Sequence, residues 1–392
     1  MKLFTRPYGS FLLIFLMMFS CRKAYNPPAI EGDNHFLAVN GFIYTGTAVT
    51  STISLSRSLN LNDTLPDRPE LNAQVVIESS AGNSYILIDS AGVGVYISQA
   101  LTLDTTNQFR LTITTSDGNK YQSDFVSAKL APPIDSLGWE LANDPVTGQQ
   151  DANIFVNAHD PTNATRYYRW DYLQTYKHVS TYSTSWADSN DVIYALPVGF
   201  STHSCWSTVP SQNISLGTSI ALSQDVISHV QVASFLQNDP TFDIGSSFLI
   251  RQYPLTEQGY AYWLSVQKNS QTLGGLFDLQ PSQIQGNLHC LTNPDNPVIG
   301  FVSASTVQES RIYISNKSLP GWQSPHIDTA TSCQIAIIPT DPLNELIWNY
   351  PDTSYGPYYF PSGGLFIAPK RCMDCRYQGG TLDKPSFWPM YD

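Results

Sequence analysis

The sequence predicts a mainly β protein: an immunoglobulin-like or transthyretin-like β-sandwich, followed by a larger β-rich domain with one helix near residues 257–270. Short runs in which apolar and polar residues alternate predict strands, because alternation at period two turns one face of a strand towards a core. Turn-forming segments such as "SAGN" and "SDGN" separate these runs. Only 13% of the 392 residues are charged and 22 are Tyr, which is typical of a folded extracytoplasmic β protein and not of a disordered chain.

The first twenty residues are predicted to be a secretory signal peptide. Lys2 and Arg6 form a short basic segment, and an uninterrupted apolar run covers residues 11–19. That run is too short to cross a bilayer of about 30 Å as a permanent helix. Later apolar runs all fall short of the roughly 18 residues that a spanning helix needs, so no other part of the chain is expected to cross the membrane.

The cysteine that follows this segment is the candidate lipidation site. Ser20 and Cys21, at the end of the apolar stretch, are similar to a bacterial lipoprotein cleavage site, so Cys21 is expected to become the first residue of the mature chain. An ordinary cleaved signal is the alternative. Residues 21–35 are polar and contain prolines, as expected for a tether between a lipid and a folded domain. Export also predicts a compartment in which disulfides persist.

Residues 36–130 are predicted to form the β-sandwich domain. In "TISLS", Ile53 and Leu55 lie on one face of the predicted strand, and in "RLTITT", Leu111 and Ile113 do so, with Ser and Thr on the opposite face. Strands that are apolar on one face need a second layer to cover that face, which a sandwich supplies.

Residues 131–392 are predicted to form the second domain, which begins at the proline-stiffened joint "APPIDSL". In the strand "RYYRWDYLQTY", alternation places three aromatic side chains on one face: Tyr168, Trp170 and Tyr172.

One segment of this second domain predicts a helix. Thr256 is suited to the N-cap, and Glu257 lies favourably near the positive end of the helix dipole. Tyr260, Trp263 and Leu264 have the i, i+3, i+4 spacing of a stripe that faces a core.

Charge and motifs exclude several functional classes. The net charge of −12, which becomes more negative when Lys2 and Arg6 are removed, opposes nucleic-acid binding. The sequence contains no G-x-S-x-G, H-E-x-x-H or phosphate-binding glycine motif, so we expect no catalytic residue, no cofactor and no enzymatic activity. His159, His203 and His326 lie near Ser or Asp, but none has a third converging group in the sequence.

Aromatic residues in predicted loops are the remaining candidates for recognition, because their rings give a large contact area at low entropic cost. The segment "YSTSW" contains Tyr182 and Trp186. The segment "SYGPYYFPSGG" is the preferred candidate, and its aromatic residues are Tyr355, Tyr358, Tyr359 and Phe360. The nearby "ADSND", with Asp188, Asn190 and Asp191, lacks the spacing of a calcium loop and is read as a solvated turn.

The segment "CMDCRYQGG" has three possible interpretations: a metal site, a redox site or a pair of disulfides. Zinc needs two further ligands at fixed spacing, and the sequence contains no second C-x-x-C. A thioredoxin-like site needs flanking strand and helix, whereas "APKR" and "RYQGG" predict a loop. Structural disulfides are therefore favoured, and no bound metal is expected. Besides Cys21 the sequence has five cysteines, so one is left unpaired.

Several phrases resemble the Bacteroidota outer-membrane lipoproteins of the domain of unknown function 4249 family. They include "RQYPLTEQGYAYW", "LFDLQPSQIQGNLH", the "PPIDSL" joint and the closing "CMDCRYQGGTLDKPSFW". The resemblance implies a lipoprotein anchored in the outer membrane, facing the cell exterior, that accompanies a TonB-dependent transporter or a related barrel. It supplies no catalytic residue.

The resemblance also bears on the cysteines. Cys290 lies inside a family phrase in which cysteine is not expected, so it is the predicted free thiol. Cys333 is then expected to pair with one member of the Cys372/Cys375 motif and Cys205 with the other. These bonds would tie the C-terminal segment to the body of the protein, with Phe387 and Trp388 inserted into the second domain. The partners of Cys372 and Cys375 are interchangeable at this point.

A short pattern, Asp followed by Ser or Thr and then by Leu, Ala or Thr, resembles the Bacteroidota O-glycosylation acceptor. It occurs at Thr64, Ser90, Thr105, Ser136 and Thr329. Thr64 and Thr329, in polar surroundings, are the candidate acceptors, whereas Ser136 is better explained by the domain joint.

These observations predict a non-enzymatic lipoprotein that docks on an outer-membrane barrel, most simply a TonB-dependent transporter. A glycan- or peptide-binding module that uses the aromatic loops is the first alternative. An enzyme acting on an extracellular polymer is the second.

Overall fold

The computed structural model describes residues 35–59, 68–143, 148–189, 192–271, 286–322, 333–339, 354–359 and 364–390. Within these residues the protein is mainly β with one α-helix, which confirms the predicted class. The predicted signal peptide, Cys21, the tether up to residue 34, Thr64, Thr329, His326 and Phe360 lie outside the described residues.

The strands have the following bounds. Those up to residue 130 are β1 (Leu37–Tyr44), β2 (Gly46–Val49), β3 (Thr52–Arg57), β4 (Gln74–Ser79), β5 (Ser84–Ile88), β6 (Val95–Ser98), β7 (Leu101–Leu103), β8 (Gln108–Thr114), β9 (Lys120–Ser123) and β10 (Val126–Ser127). Those from residue 131 to the helix are β11 (Ile134–Asn143), β12 (Gln150–Asp160), β13 (Tyr167–Val179), β14 (Trp186–Ser189), β15 (Val192–Ala195), β16 (Ser204–Pro210), β17 (Ser215–Thr218), β18 (Asp225–Leu236) and β19 (Gly245–Pro254). Helix α1 spans Glu257–Gln271. The strands after it are β20 (Leu288–Cys290), β21 (Ser303–Ser305), β22 (Gln308–Ser315), β23 (Ala336–Pro339), β24 (Tyr355–Tyr359) and β25 (Gly364–Pro369).

Most strands of the first 130 residues join one continuous sheet that curls around its own core, where two packed sheets were expected. Its order is β20-β9-β8-β4-β5-β6-β3-β1-β21, with β10 paired to β8. Ile53, Leu55, Leu111 and Ile113 all point into its core, as the alternation predicted. The edge strands β20 and β21 come from beyond residue 131, so the division of the chain at that residue stays a prediction.

The side chain of Asn287 joins the two edges of this curled sheet. Its Nδ2 donates to the carbonyl oxygen of Val302 at 3.0 Å, and its Oδ1 accepts from the Val302 N–H at 2.8 Å. Because Asn287 precedes β20 and Val302 precedes β21, these bonds hold together the two ends of the sheet. The pairing satisfies buried backbone groups that would otherwise lack partners.

A β-sandwich lies in the next part of the chain. The three-stranded sheet β11-β12-β18 packs against the five-stranded sheet β16-β13-β19-β22, in which β17 also pairs with β13. Tyr168, Trp170 and Tyr172 lie buried between the two sheets, which confirms the predicted aromatic face of this strand.

Helix α1 begins as predicted but buries a different ring most deeply. The N–H of Gly259 donates to Oγ1 of Thr256 at 3.1 Å, which confirms the N-cap. Tyr260 and Trp263 pack against an aromatic cluster at the sheets. The prediction of the stripe was incomplete, because Tyr262 is the most buried side chain of the helix and its ring lies beside Phe301.

The last part of the chain forms a small third layer. Its sheet has the order β23-β25-β24, and the hairpin β14-β15 lies against β24. Among the described residues its core contains only three buried apolar side chains: Ile338, Leu365 and Ile367. This layer positions the candidate site.

Candidate ligand-binding site at the disulfide clamp

Two disulfides fix residues 370–380, which we call the clamp segment, to the rest of the protein. Cys205 pairs with Cys375 and Cys333 pairs with Cys372, with Cα–Cα distances of 5.6 and 5.8 Å. All four cysteines are buried. The predicted pairs therefore lie at disulfide distance, and Cys290 is free and buried in the core of the curled sheet, as expected.

Backbone hydrogen bonds hold the clamp segment beside its disulfides. The N–H of Cys375 donates to the Thr202 carbonyl at 2.9 Å, and Thr202 Oγ1 donates to the Met373 carbonyl at 3.0 Å. The N–H of Tyr182 donates to the Cys372 carbonyl at 2.7 Å, and its hydroxyl donates to the Cys333 carbonyl at 2.6 Å. One tyrosine thus bonds to both cysteines of one disulfide.

Steric crowding and a left-handed backbone explain why glycines occupy positions 379 and 380, after the clamp cysteines. A Cβ on Gly380 would lie 2.5 Å from Cβ of Cys205 and 2.5 Å from Nε2 of His178, closer than side chains ever pack. Gly379 has φ of +90° and ends the short 3₁₀ turn Cys375–Gln378. The two glycines let the chain turn and pass directly over the disulfide.

The C-terminal tail continues into the fold. Thr381 and Trp206 exchange both backbone hydrogen bonds, and Trp388 is buried against the rings of Trp206 and Tyr313. The predicted insertion of Trp388 is confirmed. The predicted insertion of Phe387 was wrong in part, because its ring stays 42% exposed. The Arg311 guanidinium covers one face of this ring, 3.5 Å from its centroid.

A cavity of about 250 Å³ lies between the clamp segment and the β14-β15 hairpin. Three aromatic rings at this cavity stay well exposed: Tyr194 (45%), Phe200 (45%) and Tyr377 (62%). Val198, at the tip of the neighbouring loop, is fully exposed. The described residues that line the cavity are Thr184, Trp186, Ala187, Asp188, Tyr194, Leu196, Phe200, Thr202, Gly356, Pro357, Lys370, Met373, Asp374, Arg376 and Tyr377.

The charged side chains in this lining form two internal pairs. Lys370 Nζ lies 3.0 Å from Asp188 Oδ2. Arg376 donates through Nε and Nη2 to both carboxylate oxygens of Asp374 at 2.6 to 3.1 Å, and this hydrogen bonding raises the pKa of the Arg376 guanidinium. The described lining contains two acidic and two basic side chains, so its net charge is zero, although the net charge of the whole chain is −12.

The two aromatic loop segments singled out in the sequence meet at this site. The rings of Tyr182 and Tyr358 lie 5.1 Å apart, and Thr184 Oγ1 bonds to the carbonyls of Pro357 and Tyr358 at 3.0 Å. Trp186 lines the cavity.

The aromatic residues of the segment "SYGPYYFPSGG" lie in different surroundings. Tyr355 packs on the small core of the third layer, whereas Tyr359 stays 56% exposed beside Phe366. Tyr194, Phe200 and Tyr377 were not identified from the sequence. The apolar loop "LPVGF" and the "CRYQGG" that follows the clamp cysteines were the available signals.

The histidine candidates do not converge. His159 pairs with Asp135 at 2.8 Å on an exposed face, and this hydrogen bond raises the pKa of His159. Nδ1 of His203 contacts Ser180 Oγ at 3.1 Å, a residue that the sequence did not single out. Asp188 engages Lys370, and Asn190 and Asp191 lie outside the described residues.

Two kinds of site are absent from the described part of the chain. No group of three or more His, Cys, Asp or Glu side chains is placed to hold a metal ion there. No helix in that part is long and apolar enough to cross a membrane.

A family model described as "Domain of unknown function (DUF4249)" matches residues 22–311. No curated protein matches the chain. The matched range includes the β14-β15 hairpin and ends before β23 and the clamp segment. The cavity therefore lies between a matched part of the chain and an unmatched one.

Proposed function

We propose, from the premise that this chain belongs to the DUF4249 family, that it is a non-enzymatic binding protein that works beside an outer-membrane barrel. In this proposal a lipid on Cys21 anchors the chain in the outer membrane, facing the cell exterior, and the barrel is a TonB-dependent transporter or a relative of one. The signal layout before Cys21 and the family resemblance support the anchor and the neighbourhood.

The clamp cavity is the observation that supports binding. Two disulfides and several backbone hydrogen bonds hold the clamp-segment wall of the cavity in place, so less conformational freedom is lost there when a partner binds. Exposed Tyr and Phe rings supply contact area at low entropic cost.

The charges at the cavity favour binding over catalysis. A general acid or base needs a pKa near the working pH and a free path to the substrate. Both carboxylates of the described lining instead accept from a Lys or an Arg, and this lining contains no histidine. An enzyme acting on an extracellular polymer is therefore less well supported than a binder.

Purification from native membranes in mild detergent tests the barrel partnership. We expect the wild-type chain to bring down a barrel protein, and Cys21→Ser to abolish this because the chain is no longer held at the membrane. Ile86→Ala, a change at an exposed residue of β5, is the matched control and should leave recovery unchanged. Recovery of the wild-type chain alone from several detergents would contradict the partnership.

A further inference from the structure

We infer that the clamp cavity binds one ring of a neutral carbohydrate, with the rest of the glycan lying across the exposed aromatic rim formed by Tyr194, Phe200 and Tyr377. This inference rests on the proposed binding function and assigns a ligand class to the same site. Its volume of about 250 Å³ is below the roughly 300 to 1,000 Å³ of pockets for drug-sized ligands, so the occupant inside it is a small unit.

The aromatic residues suit one face of a sugar ring. A pyranose presents C–H groups on its faces and hydroxyls around its edge, so it packs flat against an aromatic ring while its hydroxyls reach polar neighbours. Tyr194 and Tyr377 keep 45% and 62% of their surface exposed at the cavity, and Trp186 contributes a third ring to its lining. Tyr and Trp combine an apolar body with a polar tip, which matches this mixed surface.

The paired charges favour a neutral ligand. A charged group entering the cavity would unbalance either the Lys370–Asp188 or the Arg376–Asp374 pair, and an uncompensated charge in a partly buried site is costly. A hydroxyl both donates and accepts, so it bonds to the outer side of an ion pair without changing its charge. Lys370 has three N–H donors, of which Asp188 Oδ2 engages one.

The cavity is also fixed before any ligand arrives. Met373 and Asp374 lie between the two cysteines of the clamp segment, and Arg376 and Tyr377 follow the second, so the disulfides restrict where their backbone can lie. Rigid placement is needed when one ring must meet an aromatic face and two ion pairs at once.

The competing occupant is an apolar side chain of a protein partner, which the exposed Val198 at the loop tip would also suit. Such a partner would gain from the apolar rim and would make little use of the ion pairs. Its signature is binding of peptides, and not of sugars, at the same residues.

The test compares an array of neutral oligosaccharides, an array of uronic-acid oligosaccharides and a peptide library, using the folded chain with both disulfides formed. We expect neutral oligosaccharides to bind. Tyr377→Ala should weaken that binding about ten-fold or more, the size expected when an aromatic anchor of a binding site is lost. Tyr377→Phe keeps the ring and should retain most of the affinity, and Ile86→Ala on the curled sheet should have no effect.

Each outcome decides the ligand class. Binding of peptides or of acidic sugars alone overturns the assignment of a neutral sugar and leaves the proposed binding function standing. Neutral-sugar binding that survives both Tyr377→Ala and Tyr194→Ala overturns the assignment of that ligand to the clamp cavity. Absence of binding to all three collections overturns it as well. Co-purification of a barrel is scored separately, so failure of the proposed function is distinguishable. Tyr194 and Tyr377 lie outside the apolar cores, with 45% and 62% of their surface exposed, so the thermal midpoints of the variants should lie close to that of the wild type.

Discussion

The curled sheet and the third layer are stabilised in opposite ways. Among the described residues, one core of twenty buried apolar side chains fills the curled sheet, whereas the third layer has a core of three. The curled sheet contains one cysteine and leaves it unpaired, whereas both disulfides bind the clamp segment beside the third layer. A layer too small to bury much apolar surface is held by covalent bonds instead.

This difference explains why exposed rings are tolerated at the clamp. In a region held by its core, aromatic side chains are recruited to the interior, as Tyr96 and Phe109 are in the curled sheet. At the clamp the disulfides hold the segment that carries Tyr377, so this ring remains at the surface without a core, as does Tyr194 on strand β15 across the cavity. Among the described residues, the clamp region therefore combines a small core with an exposed aromatic face.

The largest expected effect follows from removing both disulfides. Cys372→Ser with Cys375→Ser opens loops of 39 and 170 residues, and each closure is worth about 3 to 5 kcal/mol in the chain-entropy model. We expect faster amide hydrogen exchange in residues 180–206 and 364–390, with exchange in β3, β4 and β8 unchanged.

Cys290→Ser is the matched control for that variant, because it changes a cysteine that forms no disulfide. It is expected to leave exchange at the clamp as in the wild type. If the clamp of the double variant stayed as protected as that of the wild type, the comparison between the two regions would fail. Alkylation of Cys372 and Cys375 in the non-reduced wild-type protein would contradict the disulfides themselves.

Core truncation is the next test and should affect the other region. Leu111→Ala removes a fully buried side chain from the curled sheet and should lower the free energy of unfolding by about 2 to 5 kcal/mol. Leu365→Ala makes the same change in the third layer, whose described core has three buried apolar side chains. Few apolar neighbours surround the space that the side chain leaves there, and the disulfides remain intact. We expect a smaller loss there, measured by denaturant unfolding followed by hydrogen exchange. If both variants lowered the free energy of unfolding equally and both increased hydrogen exchange in the curled sheet, core size would not distinguish the two regions.

Features fixed by short stretches of sequence were predictable. Alternation placed Ile53 and Leu111 in a core, and Thr256 capped the helix, because each depends only on nearby residues. Compartment and cysteine count predicted disulfides at Cys372 and Cys375 but left open which partner each would take.

Features fixed by distant contacts were not predictable. Strand β21 pairs in parallel with β1, joining Phe42 to Ser303, and no local pattern records such a pairing. The cavity likewise combines residues 184–202 with residues 356–377. Tyr262 was missed because the ring that covers it, Phe301, comes from another part of the chain. Sequence reasoning thus identified the cysteines and Trp186 but not the rim that completes the site.

The smallest expected effect concerns pH and separates the clamp from the exposed sheet face. His178 lies beneath Gly380, with Nε2 2.9 Å from Ser207 Oγ. Burial lowers the pKa of His178 from its ordinary 6.5, against a weaker opposing hydrogen bond from Gln378. A histidine whose folded-state pKa is lowered favours the neutral form, so its contribution to stability is present above pH 6.5 and is lost as the pH falls through the folded-state value. The pKa of His159 is shifted in the opposite direction by Asp135, so its contribution is present below pH 6.5 and lost as the pH rises.

The measurement is the thermal midpoint at pH 7.5 and pH 5 for the wild type and for His178→Gln, which cannot take up a proton. Because other groups titrate in the same range, the informative quantity is the difference between the two pH dependences and not either one alone. We expect the wild type to lose more stability than His178→Gln on acidification. Hydrogen exchange should locate the additional loss in residues near the Cys205–Cys375 bond. His159→Gln is the matched control and should not reduce the acid loss, because protonation of His159 stabilises the fold. Equal acid sensitivity of the wild type and His178→Gln would mean that the covalent clamp holds the ring regardless of its charge, and that the disulfides alone set the stability of this region.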